Sequence, residues 1–558
     1  MARLTPMAKG LVALIILGGA GALAWNFGLK EVVSGLQSGT QQQATTGQPG
    51  EAGKKPSAAP PKAVSGPLGS SGNPLRVSIV SFHGYAPALV ANGNSLTTQA
   101  GSIYANKGVN VEFVIQDDIP TLSTIFESNT AQCAWRTSDF WAQEQPNLRN
   151  AGGDGRAIIV VDNTQGGDAI ITRDPSVQRV EDLAGKSIAL LQYTPSHGMT
   201  IDALESSSLS ARKRETVKYV YINAEEGTAG VRAALESGSV EAAALWDPDL
   251  ALALKNVKGA RVVYSTKTAT NLIYDVMVCN KKALDNPANT QAFQAFVGGW
   301  LDGVKESRAN PDKAVAALEN TEEFFKLLVK DQGRDFVKSL FSNVVWTGLD
   351  DNARILGLAG GTNHYERVYR RFDGIYRAAG ALANPNSPVI APQDSFDYRF
   401  IKTLLEGNQS AKTAAAKPEF TFSQQGQDKA AQQTAIVTKP VMVSFTSGSA
   451  DLNKRAQQVI DKEMAPFIEN NGSAYFEVSG NTDSVGSRDA NLRLSLQRAQ
   501  AVVDYLVKEW DFDRARFKVI GSGPDRPLCN EANPGAEGLD LEACRASNRS
   551  TRVALLTR

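Results

Sequence analysis

Two groups of residues in this chain have the types and spacing to hold a small polar molecule. The first lies in the block GNTDSVGSRDANLRLSLQRAQAVVDYL, residues 480–506. Asn481, Thr482 and Asp483 follow a strand-like run, residues 474–478, and Gly486 allows a tight turn. An amphipathic helix is predicted next, with Leu492, Leu496, Ala499, Val502, Val503 and Leu506 at helical spacing. Taken alone, Asp483 reads as a helix cap and Arg498 as a surface charge. The second group lies in the middle of the chain. Two of the three histidines, His83 and His197, fall in polar loops. Ser196 and His197 stand just before a predicted helix, residues 199–206, whose free N–H groups can hold an anion. Neither C-x-x-C nor H-x-x-x-H occurs, which argues against a structural zinc site or a zincin helix.

These residues need a scaffold, and the middle of the chain supplies an alternating one. Strand-like runs fall at residues 76–81, 110–115, 157–161, 169–172, 187–191, 217–222, 242–246 and 276–279. Amphipathic helical stretches such as 228–237 and 288–306 separate many of them. Alternating strand and helix predicts an α/β fold with largely parallel sheets. Cys133 and Cys279 stand alone in apolar strands.

The flanks differ in kind. Arg3 and Lys9 precede an uncharged stretch, residues 10–29, about the ~20 residues a membrane helix needs. Basic residues on its N-terminal side orient the remainder out of the cytoplasm. Ala22-Leu23-Ala24 could alternatively serve as a signal-peptidase site. Residues 34–73 are rich in Gly, Gln, Ser, Ala and Pro, a composition that cannot offset its ordering entropy and predicts a tether. Residues 407–438 read as a second linker with room for a short helix or strand. The expected division is residues 1–30 anchor or signal sequence, 31–74 linker, 75–406 α/β domain, 407–438 linker and 439–558 C-terminal domain. Formal net charge over 558 residues is zero, which removes the electrostatic case for nucleic-acid binding.

Thr482, Asp483, Gly486, Asn491, Leu494, Ser495, Arg498 and Ala499 fit the pattern T-D-x-x-G, then N-x-x-L-S-x-x-R-A. Through them the last 120 or so residues resemble the OmpA-like family. The resemblance implies an α+β domain, a βαβαβ-type sheet with helices on one face, that binds the diaminopimelate of peptidoglycan stem peptides. Thr482, Asp483, Gly486, Asn491 and Arg498 are the implied site. The chemistry is reasonable: an aspartate accepts from the ligand's ammonium, and arginine offers a fork of donors to its carboxylate. Some members carry a disulfide-closed loop where Cys529 and Cys544 frame CNEANPGAEGLDLEAC, so that bond is implied too. The closing strand leaves open whether Arg549 or Arg552 takes the family's C-terminal arginine role.

Phe82-His83-Gly84-Tyr85-Ala86-Pro87, Trp135-Arg136-Thr137-Ser138-Asp139, the segment VEDLAGK at 180–186, and Trp246-Asp247-Pro248 occur in an order that resembles periplasmic solute-binding proteins of the nitrate/taurine/sulfonate type. Trp135 to Asp139 correspond to that family's second binding loop. The resemblance implies two α/β lobes joined by a hinge and closing on a ligand. Strand ends face the cleft in such folds. That places His83, Tyr85, Thr137 and Ser138 opposite Thr194, Ser196, His197, Trp246 and Asp247. Mostly neutral donors and a helix start favour a small anionic solute.

The resulting expectation is a non-enzymatic cell-envelope protein, held at the inner membrane, that binds peptidoglycan and a solute in an ABC-transporter-type binding or sensing role. An ABC permease is the implied partner, and no cofactor or metal is called for. The alternatives are a structural wall protein whose cleft no longer binds solute, and an enzyme on the same fold. Iron-using pyrimidine synthases of related fold carry a cysteine-rich cluster, which the lone Cys133 and Cys279 do not supply.

Overall fold

The computed structural model describes residues 66–117, 124–125, 130–443, 445 and 448–557. The expected anchor and nearly all of the expected tether lie outside them. No helix of the described residues is long and apolar enough to cross a membrane.

The α/β part has two lobes. Lobe 1 is built on β1 (Leu75–Ile79), β2 (Val111–Ile115), β3 (Cys133–Thr137), β4 (Gly155–Thr164), β10 (Tyr274–Asn280) and β11 (Val344–Trp346), in the order β11-β4-β10-β3-β1-β2. Lobe 2 carries β5 (Asp168–Thr172), β6 (Ser187–Leu190), β7 (Lys218–Tyr221), β8 (Ala242–Trp246) and β9 (Arg261–Ser265), in the order β7-β6-β8-β5-β9. The chain leaves lobe 1 between β4 and β5 and returns between β9 and β10. The sheets are mixed rather than largely parallel. β10 comes back antiparallel to both β3 and β4, and β5 runs antiparallel to β8 and β9.

Local sequence explains the elements. Ile158 to Val161 are wholly buried, which suits a strand covered on both faces and accounts for its unbroken apolar run. The helix Thr290–Ala309 buries Phe293, Phe296, Val297, Trp300 and Val304, a stripe of helical period, against lobe 1. The sequence Cys133-Ala-Trp-Arg-Thr137 forms β3 inside the sheet, not the loop the family resemblance implied.

Cys133 and Cys279 are also not solitary. They are directly opposite each other on antiparallel β3 and β10 and form a disulfide. Two cysteines 146 residues apart become neighbours only through strand register, which the sequence does not display.

Residues read as a second linker are ordered. They hold the helices Gln409–Ala415 and Gln424–Ala430 and the start of β12 (Val437–Val441). β12 opens the C-terminal sheet, completed by β13 (Tyr475–Asn481), β14 (Phe517–Gly523) and β15 (Thr551–Leu556) in the order β12-β15-β13-β14. The long helix Arg488–Trp510 connects β13 to the parallel β14 and packs on both. Contact is close: a Cβ at Gly480 would lie 2.0 Å from the backbone oxygen of Ser495. Gly480→Ala is therefore expected to destabilise this domain by about 1–3 kcal/mol, as overpacking does, read from the urea midpoint. An unchanged midpoint would refute the packing argument.

The C-terminal domain seats against lobe 2 and the return crossing. Asn271 donates its backbone N–H to Asn470 O (3.0 Å) and its side-chain amide to Glu469 O (2.8 Å). Ser473 donates to Lys267 O (2.9 Å), and Glu181 accepts from Thr438 N (2.8 Å). Arg367 pairs with Glu469 and lies 4.7 Å from the centre of the Trp510 ring.

Candidate functional site

The C-terminal domain has an open cavity of about 590 Å³ that gathers Thr482, Asp483, Asn491 and Arg498. Gly486, at φ +97°, makes the turn between strand and helix, and Asn491 ties that turn by donating to Val485 O (2.9 Å). The helix is capped by Ser487, whose hydroxyl accepts from Ala490 N. Asp483 is thus free of the capping role, and its Oδ1 accepts from Val485 N at 3.2 Å. Arg498 donates to Ser449 O (3.1 Å) and stacks 4.9 Å over Phe445. Burial lowers its pKa, while the Asp483 charge opposes that shift.

Arg549 also lines the cavity. It donates to Asp483 Oδ2 at 2.7 Å and to Glu542 at 2.6 Å. Arg552 does not line it: it is buried, donates to Arg526 O and Ser550 Oγ, and is lowered to about 10 by burial. The sequence left these two arginines undecided; Arg549 caps the end of the helix Leu541–Asn548, while Arg552 lies inside β15.

Cys529 and Cys544 are bonded, 15 residues apart. Their loop presents Glu531, which accepts from Ser484 N (3.1 Å) and Ser484 Oγ (2.6 Å) and braces the Asp483 turn. The pocket therefore places a carboxylate beside two guanidinium groups, an arrangement suited to a ligand bearing both charges.

The second cavity lies between the lobes, a small one of about 30 Å³, and adjoins a mouth of about 370 Å³. Of the nine residues expected there, Tyr85, Thr137 and Trp246 line it. The other six do not line it. His83 is fully buried beneath Phe341, and burial lowers it to about 3. His197 Nδ1 accepts from Tyr193 N (3.0 Å), its ring faces Tyr219 and Tyr221, and burial lowers it to about 4. Neither histidine can act as a charged donor near neutral pH. Ser138 accepts from Tyr274 N, and Thr194 donates to Leu191 O. Ser196 is wholly buried behind Pro195, the one residue of that helix start that lines the cavity. Asp247 accepts from Asn343 Nδ2 (2.7 Å), a contact between lobes, and burial raises it to about 7.

What the sequence did not single out is the carboxyl group content. Asp168 and Asp275 line the cavity, with Phe82, Trp135 and Thr164. Tyr85 OH donates to Asp275 Oδ1 at 2.7 Å. Asp162 is buried behind them, close enough to feel the charge of Asp275. Burial first, then the neighbouring Asp275, pushes Asp162 and Asp168 well above the usual carboxylate range. Burial raises Asp275 to about 6, against the hydrogen bond from Tyr85, and Asp139 to about 7.

Arg136 is the nearby buried cation, and it is paired with Glu144. Among the described residues no Lys, Arg or His lines the cavity or its mouth. The lining therefore offers no fixed positive charge to the anionic solute expected from the sequence. A visible signal was there: each of these aspartates adjoins an apolar strand, where an unpaired carboxylate is costly.

Comparison with known proteins agrees with the two-part construction. Residues 444–538 match the OmpA family, and residues 99–314 match the family described as NMT1/THI5 like. Outer membrane porin F of Pseudomonas aeruginosa is 40% identical over 88 residues, 16% of this chain and 23% of the porin. The probable lipoprotein YiaD of Escherichia coli is 32% identical over 120 residues, 22% of this chain and 50% of the lipoprotein. The chain thus spans between a quarter and a half of the length of these two relatives. The crystal structure of the periplasmic aliphatic sulphonate binding protein SsuA from Escherichia coli aligns over 60% of this chain and 98% of its own, at 15% identity and a TM-score of 0.45. The two-lobed part thus contains a match to the NMT1/THI5-like family, and the C-terminal part a match to the OmpA family.

Proposed function

We propose that this is a cell-envelope protein that grips peptidoglycan through the cavity around Asp483 and captures a small solute between the lobes of its α/β domain. The observation that carries the wall-binding half is the juxtaposition of Asp483 with Arg498 and Arg549 on one open cavity. A diaminopimelate side chain ends in an ammonium and a carboxylate on one carbon. Asp483 would take the ammonium, releasing Arg549 to join Arg498 on the carboxylate. The solute-binding half rests on the cavity between the lobes, lined from both sides. Lobe closure around a ligand is the usual response of such a hinge. Solute held beside the wall would be handed to, or reported to, a membrane partner of the ABC-permease type.

Asp483→Ala and Arg498→Ala are each expected to cut retention on diaminopimelate-type peptidoglycan about 10- to 100-fold, from the ~1.5–3 kcal/mol of a hydrogen bond to a charged group. A sacculus pull-down measures this, with circular dichroism as the folding control. Undiminished retention of both folded variants would sink the assignment.

A further inference from the structure

We propose that the solute is an organic cation, an ammonium head on a small apolar body, seated between Asp168 and Asp275 and walled by Trp135 and Trp246. The proposal rests on the reading of the inter-lobe cavity as a solute site, and it deepens that reading by naming the chemistry of the ligand.

Position supports it first. Asp275 belongs to β10 of lobe 1 and Asp168 opens β5 of lobe 2, so the two carboxyl groups face the cavity from opposite sides of the hinge. Asp162, near the end of β4, adds a third buried carboxyl group behind them. A cation between Asp168 and Asp275 would relieve their mutual repulsion and hold the lobes together in one step. An anion would do neither.

The walls support it second. Phe82, Tyr85, Trp135 and Trp246 surround the same cavity. Aromatic faces attract an ammonium through their quadrupoles, and Trp does so best. Aromatic faces with carboxylates describe a cage for an alkylammonium, and a bare anion gains nothing from them.

An unpartnered polar group supports it third. The Trp135 indole N–H lines the cavity at 6% exposure and has no hydrogen-bond partner, while the Thr164 hydroxyl, also in the lining, hydrogen-bonds Asp168. A buried polar group is rarely left without a partner unless a ligand completes it. The hydroxyl can accept from an ammonium N–H. The indole can donate only, so it suits an uncharged oxygen on the same ligand, as in an amino alcohol. A metal ion is disfavoured: among the described residues no three His, Cys, Asp or Glu side chains are placed to share one.

The approach is acidic as well. Asp117, Glu225 and Glu226 line the mouth, where Asp249 is paired with Arg232. Clefts of one sign raise the local concentration and on-rate of the opposite sign.

The test titrates the full chain with ethanolamine, choline and putrescine, and in parallel with ethanesulfonate, nitrate and thymine, by calorimetry and melting temperature. At least one ammonium probe should bind. Asp168→Asn and Asp275→Asn should each weaken that probe at least 100-fold while leaving peptidoglycan retention intact, which also reports that the chain is folded. Should either variant fail to fold, Trp246→Ala at the partly exposed rim should still weaken the probe at least tenfold. Affinity should increase from pH 5 to pH 8, with proton release on binding. Binding of ethanesulfonate, nitrate or thymine without any ammonium probe would overturn the cation and leave the solute site standing. Binding of none of the six would overturn both.

Discussion

Raising the pH of the ligand-free protein from about 5 to about 8 is expected to lower its stability by several kcal/mol. Asp139 and Asp247 are raised to about 7 and Asp275 to about 6 by burial, and Asp162, Asp168 and Glu322 are raised well above the usual range. In the unfolded chain all six would titrate near ~4. The folded protein therefore holds more protons than the unfolded one between those limits. Their contribution is complete below about pH 4 and is lost as pH rises through the folded values.

The three histidines oppose it. His83, His197 and His364 are held neutral, at about 3, 4 and 4, and favour the folded state once pH exceeds ~6.5. Their effect is confined below that pH, so between about 6.5 and 8 only the carboxyl groups act. Each uncompensated proton is worth ~1.4 kcal/mol per pH unit. The paired Arg136 and Glu144, and the neutral Tyr85, add no charge to the balance. Melting temperature across this range, at constant ionic strength, is the measurement. A flat or rising profile above pH 6.5 would remove the physical basis for an electron-rich, charge-starved cleft. An ammonium ligand should flatten the fall.

The second large effect concerns the Cys133–Cys279 bond. Replacing both residues with alanine, or reducing the bond, should lower unfolding free energy by about 5 kcal/mol, the chain-entropy value for closing a loop of this length. The 146-residue interval contains β4 through β9 and so the whole of lobe 2. For a chain of this size the loss corresponds to roughly 4 °C in apparent melting temperature. The Cys529–Cys544 link spans 15 residues and is expected to contribute about 3 kcal/mol, which makes the corresponding double alanine variant the control. A larger shift for the short loop than for the long one would contradict the entropic account.

The two sites differed in how far the sequence revealed them. The pocket around Asp483 was legible because Thr482, Asp483, Asn491 and Arg498 lie within one strand-turn-helix segment. Arg549 arrives from a separate segment at the head of β15, and only its backbone geometry distinguishes it from Arg552. The inter-lobe cavity is assembled from strands distant in sequence. Tyr85, Thr137 and Trp246 could be placed by the rule that strand ends face the cleft. The histidines misled, since residue type reveals nothing of burial. Asp168 and Asp275 sit where strands begin, beside the crossings, and the rule directs attention to the other end. The Cys133–Cys279 pair depended on register between β3 and β10, which apolar runs without alternation leave undetermined.

That same bond changes how the molecule would carry a mechanical load. It joins β3, one strand before the chain departs for lobe 2 from β4, to β10, the strand on which it returns. Tension along the backbone between residue 66 and a C-terminal domain held by the wall would pass from β3 to β10 through sulfur. The intervening 146 residues, roughly 500 Å of extended chain, would stay out of the force path. Lobe 2 could then open and close on its hinge while the wall is under turgor, and a pulling trace should gain that hidden length only after reduction.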